Sequence, residues 1–163
     1  MRPATPAGTV PGVADQGAGP SVYELAGGME FFERLVDRFY EGVAGDPVLL
    51  PLYPEAHDLG PARRRLTLFL AQYWGGPTTY SDERGHPRLR MRHAPFAIGP
   101  RERDHWLRHM RAALESLHPP AEVAEAMAAY FGMSAEAMRN RTGFEDRDPL
   151  WRGGPEGVGG EPA

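Results

Sequence analysis

The sequence predicts an all-α domain. Apolar residues recur at intervals of three and four through four long segments, and no run of four to eight residues alternates polar with apolar. Paired glycines and prolines fall between those segments. The first helix follows Gly27-Gly28 and carries Phe32, Val36, Phe39, Tyr40 and Val43 on one stripe. The second begins near Pro61, which a first turn tolerates. It turns Leu66, Phe69, Leu70 and Tyr73 inward and stops at Gly75-Gly76-Pro77. Pro100 opens the third, where Arg103, Trp106, Leu107, Met110, Leu114 and Leu117 share a side. Pro119-Pro120 separates it from the fourth, which buries Val123, Met127, either Tyr130 or Phe131, and Met138.

A chain of 163 residues with 41% hydrophobic residues is one domain with a real core. Residues 1–20 and 143–163 are Pro- and Gly-rich and too poor in apolar surface to offset chain entropy, so both are expected to be disordered tails around a 21–142 domain. The second tail sets Arg147 and Arg152 against five carboxylates, so most of the net charge of −4 lies outside the core. A near-neutral core speaks against nucleic acid as a partner. No cysteine means no disulfide, iron–sulfur cluster, thiolate ligand or covalent haem attachment. All 18 basic residues are Arg, which excludes lysine Schiff bases and phosphate-loop lysines. Neither a membrane span nor a signal peptide is visible, so a cytoplasmic location is expected.

Between the second and third helices, Pro87 can start a helix and Pro95 must end it, leaving under two turns. Leu89, Arg92, His93 and Phe96 fall on one side of that fragment, so His93 points toward the core. A histidine on an apolar face is either a packed core residue or a ligand, and spacing alone leaves both open. His86 precedes Pro87 and lies outside the fragment. The run Arg84, Arg88, Arg90, Arg92 lacks the interleaved aromatics of a nucleic-acid surface and suits the carboxylates of a cofactor better. His105 and His109 have the i, i+4 spacing of a helical metal pair. No third ligand accompanies them in the sequence, and they are expected at the surface beside Trp106 and Met110.

Five segments in order carry a resemblance: Arg38-Phe39-Tyr40, Leu52-Tyr53-Pro54-Glu55, Phe69 to Pro77, Gly85 to Phe96, and Glu102 to Leu107. Together they are similar to the group II truncated haemoglobins, from about residue 21 to 118 and more weakly to 142. The resemblance implies a two-over-two helical sandwich around haem b, with His93 as the proximal iron ligand. It also implies Tyr40, Tyr53 and Trp106 around the bound gas. On spacing alone these three read as core aromatics first. Ala62 stands where conventional globins place a distal histidine, though the 56–60 loop leaves that register open, and His57 lies near the pocket mouth. Arg65, Arg90 and Arg92 are the candidate partners of the haem propionates, with Tyr80 a further hydroxyl donor. Leu66, Phe69, Leu89, Phe96, Ile98, Met110 and Leu114 are expected to line the porphyrin.

The function so implied is tight O2 binding, with NO, CO and peroxide as further ligands. A polar cage that slows O2 release favours oxygen-linked redox chemistry, such as consuming NO, over bulk transport. The chain has no dinucleotide-binding fingerprint, so turnover requires a separate reductase. A haem-based gas or redox sensor is the alternative, a non-haem helical binding protein a third reading, and weak homodimerisation is compatible with any of them.

Overall fold

The computed structural model describes residues 19–141. Helix α1 (Val22–Ala26) is opened by Ser21, whose hydroxyl accepts the Glu24 N–H while the Glu24 carboxylate accepts the Ser21 N–H. Gly27 ends it with φ 113°, a left-handed conformation that costs glycine little. Helix α2 (Met29–Ala44) buries Phe31, Phe32, Leu35, Val36, Phe39, Tyr40 and Val43, the predicted stripe and two residues more. A 3-10 turn at Leu50–Leu52 leads to α3 (Gly60–Tyr73), with Pro61 in its first turn. The short α4 (Thr79–Arg84) and α5 (Leu89–His93) follow. Helices α6 (Pro100–Ser116) and α7 (Ala121–Ala137) are the last helices among the described residues.

No strand occurs among the described residues. Helix α2 packs on α3 and on α6, and α6 packs on α7, so two helix pairs are layered through the α2–α6 contact. One residue makes that contact close. A Cβ on Gly42 would run into the His109 imidazole, so glycine here lets the two backbones approach.

The four long helices lie where periodicity places them; α1, the 3-10 turn and α4 are too short for periodicity to show. Helix α5 begins at Leu89 rather than Pro87, because Arg88 adopts φ 43° and interrupts the turn. Tyr73 is not inward. It is 45% exposed at the last turn of α3, where Tyr130 of α7 stacks on it with centroids 4.1 Å apart. Phe131 takes the buried position in α7. The tails fall outside the described residues, except that residues 19 and 20 are exposed.

Candidate functional site

Helix α5 presents His93 at its last residue, and local backbone geometry fixes the ring. Its Nδ1 lies 2.6 Å from the Leu89 carbonyl, so Nδ1–H donates there and the Nε2 lone pair is directed away. Arg92 braces the preceding loop, donating from Nε to the Pro87 carbonyl at 2.8 Å and from Nη2 to the Arg84 carbonyl at 3.2 Å. His86 accepts the Arg88 N–H and is exposed. Beyond the fragment, Asn140 reaches back. Its amide donates to the Phe96 carbonyl at 2.6 Å and the His93 carbonyl at 3.4 Å, while its Oδ1 accepts the Ile98 N–H at 2.9 Å. The backbone N–H groups of Asn140 and Arg141 both donate to the Ile98 carbonyl.

A second group gathers around α2. Tyr40 is buried in α2, and Tyr53 follows the 3-10 turn with its ring 5.7 Å from Tyr40 at 74°. Phe39 lies between Tyr40 and Trp106 of α6, at 5.0 and 5.3 Å. Burial pushes the pKa of the Tyr40 hydroxyl up, against the smaller opposing pull of Tyr53, Arg65 and Arg63. Tyr53 is pushed further up, by burial and then by the charge and hydrogen bonding of Tyr40. Both phenols therefore keep their protons at neutral pH and remain donors. The Arg63 guanidinium sits 5.9 Å from the centre of the Tyr40 ring and pairs with Asp37 at 3.0 Å.

The α6 histidines depart from the sequence reading. His105 Nδ1 and His109 Nε2 donate to the same oxygen of Asp46, at 2.8 and 2.6 Å. Asp46 is a buried carboxylate whose other oxygen accepts the backbone N–H groups of Val48 and Leu49. Burial alone would push its pKa up; the four donors overcome that and hold the carboxyl well below the usual range. The expectation of two surface histidines is thus corrected: both are mostly buried, because a carboxylate at the end of α2 faces them. Among the described residues no cluster of three His, Cys, Asp or Glu is arranged to hold a metal ion.

Residues 21–140 match the bacterial-like globin family model. Group 2 truncated hemoglobin YjbI of Bacillus subtilis is 42% identical over 120 residues, covering 74% of this chain and 89% of that protein. The chain belongs to the group II truncated haemoglobins. Among solved structures, a thermostable haemoglobin of the actinobacterium Thermobifida fusca is 60% identical with a TM-score of 0.72, covering 74% of this chain and 98% of the other. A truncated oxygen-avid haemoglobin of Bacillus subtilis is 40% identical with a TM-score of 0.70, covering 74% and 100%. The fold of this truncated haemoglobin is therefore the two-over-two sandwich, α2 and α3 layered with α6 and α7.

Family membership implies haem, and the residues present fit it. The fit rests on the donor set: an imidazole whose Nδ1 is already engaged and whose Nε2 is left to bind iron. Leu66, Phe69, Leu89, Phe96 and Ile98 are only half-buried by the polypeptide, an arrangement suited to covering by a flat apolar group. Met110 and Leu114 do not share it. They are 0% and 4% exposed within the core cluster, already covered by protein. Tyr80 is also buried, its ring 5.5 Å from Phe69. Of the candidate propionate partners, Arg90 is exposed, Arg65 lies 3.7 Å from Glu55, and Arg92 is spent on backbone carbonyls. Ala62 is buried in α3 and His57 is exposed in the loop before it. The sequence reading missed Asn140 and Asp46. An Asp directly before Pro at a helix end signalled a local turn, but nothing local signalled Asn140.

Proposed function

We propose that this truncated haemoglobin holds haem b through His93 and binds O2 tightly, serving oxygen-linked redox chemistry such as NO or peroxide consumption with electrons from a separate reductase. The reading is carried by one pairing of features: an imidazole oriented by Leu89, and phenols kept neutral by burial. Haem, when bound, supplies an iron to which a diatomic gas attaches and on which the gas gains partial negative charge. Tyr40, Tyr53 and Trp106 then act as donors to that charge. Burial removes competing water, which strengthens each bond. O2, which takes up more charge than CO, benefits more. The oxygen-avid relative from Bacillus subtilis supports this reading of affinity.

Haemin titration tests it. The chain takes one equivalent and develops a Soret band, and His93→Ala loses the histidine-ligated spectrum. The double variant His105→Ala with His109→Ala keeps it. Trp106→Phe retains haem but speeds O2 release: a hydrogen bond to a charged acceptor is worth about 1.5–3 kcal/mol, or about ten- to a hundred-fold in rate. CO release changes less. Equal effects on the two gases would mean a steric gate and refute the donor role.

A further inference from the structure

Three elements carry the donors assigned to the gas, and one residue bonds to all three. Tyr40 is on α2, Tyr53 follows the 3-10 turn, and Trp106 is on α6. Asp46 sits just past the Gly45 cap of α2, and its N–H donates back to the Val43 carbonyl at 3.0 Å. Its own carbonyl accepts the Leu50 N–H at 3.0 Å, and the Leu50 carbonyl accepts the Tyr53 N–H at 3.1 Å. One carboxylate oxygen accepts from Val48 and Leu49, which fixes the chain leading into the same turn. The other accepts from His105 and His109 of α6.

The two histidines act on Trp106 through helix geometry. At 3.6 residues per turn they stand roughly 100° and 60° round the α6 axis from Trp106, both on one side of it. They are also one turn apart along the axis. A single tether leaves a helix free to roll; two tethers a turn apart fix its rotation and its height. With that side of α6 held to the end of α2, the indole meets Phe39 at 5.3 Å, and Phe39 meets Tyr40 at 5.0 Å. Gly42, two residues past Tyr40, gives the His109 ring room against α2.

Such a joint requires an ionised carboxylate. Four N–H groups converge on its two oxygens, whereas asparagine offers one oxygen and brings two donors of its own. The side chain is 3% exposed, so water does not take its place. We infer that Asp46 is a positioning residue for the gas site: by joining α2, the turn before Tyr53 and α6, it sets Tyr40, Tyr53 and Trp106 against one another and thereby sets the rate of O2 release. The inference rests on the haem and donor reading above. A hydrogen bond weakens steeply once it falls out of line, so a small roll of α6 costs ligand long before it costs the fold.

The test is O2 and CO release from the haem-loaded full chain, with the indole N–H resonance of Trp106 in the CO-bound chain as a readout independent of turnover. Two variants cut the α6 arm from either end: Asp46→Asn, and His105→Ala with His109→Ala. Each speeds O2 release about three- to ten-fold, less than Trp106→Phe does, because the donor is misplaced and not removed. Each moves the indole resonance and changes CO release less. Asp46→Ala, which also frees the turn before Tyr53, goes further. In a Trp106→Phe background the two α6 variants add nothing, since the group they misplace is gone. Val123→Ala, which opens the fully buried core of α7 away from the joint, leaves O2 release unchanged.

Unchanged release and an unmoved indole, equal acceleration of O2 and CO, the same acceleration in Val123→Ala, or full acceleration persisting without Trp106 would each overturn the positioning role. If Asp46→Asn fails to fold, the histidine variant decides, because it leaves the carboxylate on the turn. A parent chain without a Soret band fails the haem reading, and Trp106→Phe without effect fails the donor reading; the inference falls with either. Trp106→Phe speeding release while the α6 variants do not overturns this inference alone.

Discussion

Replacing Asp46 should destabilise this protein in two separable increments. Its side chain is 3% exposed, so solvent cannot substitute for the partners it loses. One oxygen holds His105 and His109, and the other holds the N–H groups of Val48 and Leu49. Each imidazole bond to a charged acceptor is worth about 1.5–3 kcal/mol, and because both address one oxygen, losing the pair costs about 3–4 kcal/mol. Asp46→Asn keeps an oxygen for the two backbone donors and forfeits the charge, which places it at about 3 kcal/mol. Asp46→Ala also strands Val48 and Leu49, adding about 1 kcal/mol or more. Urea unfolding at fixed haem concentration, with an unchanged denaturant slope, measures both. The sign of the pH effect follows from the lowered carboxyl. The stabilisation is present above the ordinary carboxylate range near pH 4 and is lost as pH falls through the native value below it. Losses within about 1 kcal/mol for both variants, or equal losses, would refute this account of the cluster.

Two further outcomes are expected. Asn140→Ala should free the segment behind His93, speeding amide exchange at residues 93–98 and haem loss by roughly five-fold, since its exposed bonds are together worth about 1 kcal/mol; Asn140→Asp, which keeps the acceptor for Ile98, should fall between. Ultraviolet titration should find Tyr40, Tyr53 and Tyr130 ionising later than a free phenol. The unfolded chain then loses those protons first, so stability should fall as pH rises past about 10.

What the sequence made legible was whatever repeats within one turn of helix. The stripe from Phe32 to Val43 and the Pro-bounded fragment around His93 are local patterns, and the structure forms a helix at both, the second starting at Leu89 instead of Pro87. What stayed hidden depends on partners far along the chain. His105 and His109 looked like a pair without a third member because that member, Asp46, lies 59 and 63 residues earlier. Asn140 is 44 residues from Phe96, and its role is set by where α7 ends. Tyr73 followed the inward period of α3 yet faces out, because the period predicts a direction and not how far the neighbouring layer extends. Met110 shares the face of Trp106, yet four residues further along that face it is fully buried in the core cluster while Trp106 is only partly buried.

The close approach at Gly42 has an evolutionary consequence. Because the imidazole of His109 occupies the place a Cβ would take, the two positions are not free to vary independently. Gly42→Ala alone must push α6 away and pull His109 off Asp46, so it carries two penalties. After His109 has shrunk to serine or alanine, the same change at position 42 fills vacated space and regains helix propensity of about 1 kcal/mol. The order of substitution decides whether the path is open. Descendants of this chain should therefore keep glycine with histidine or have exchanged both, and a library randomising positions 42 and 109 together should yield those combinations and leave the single exchange at 42 depleted.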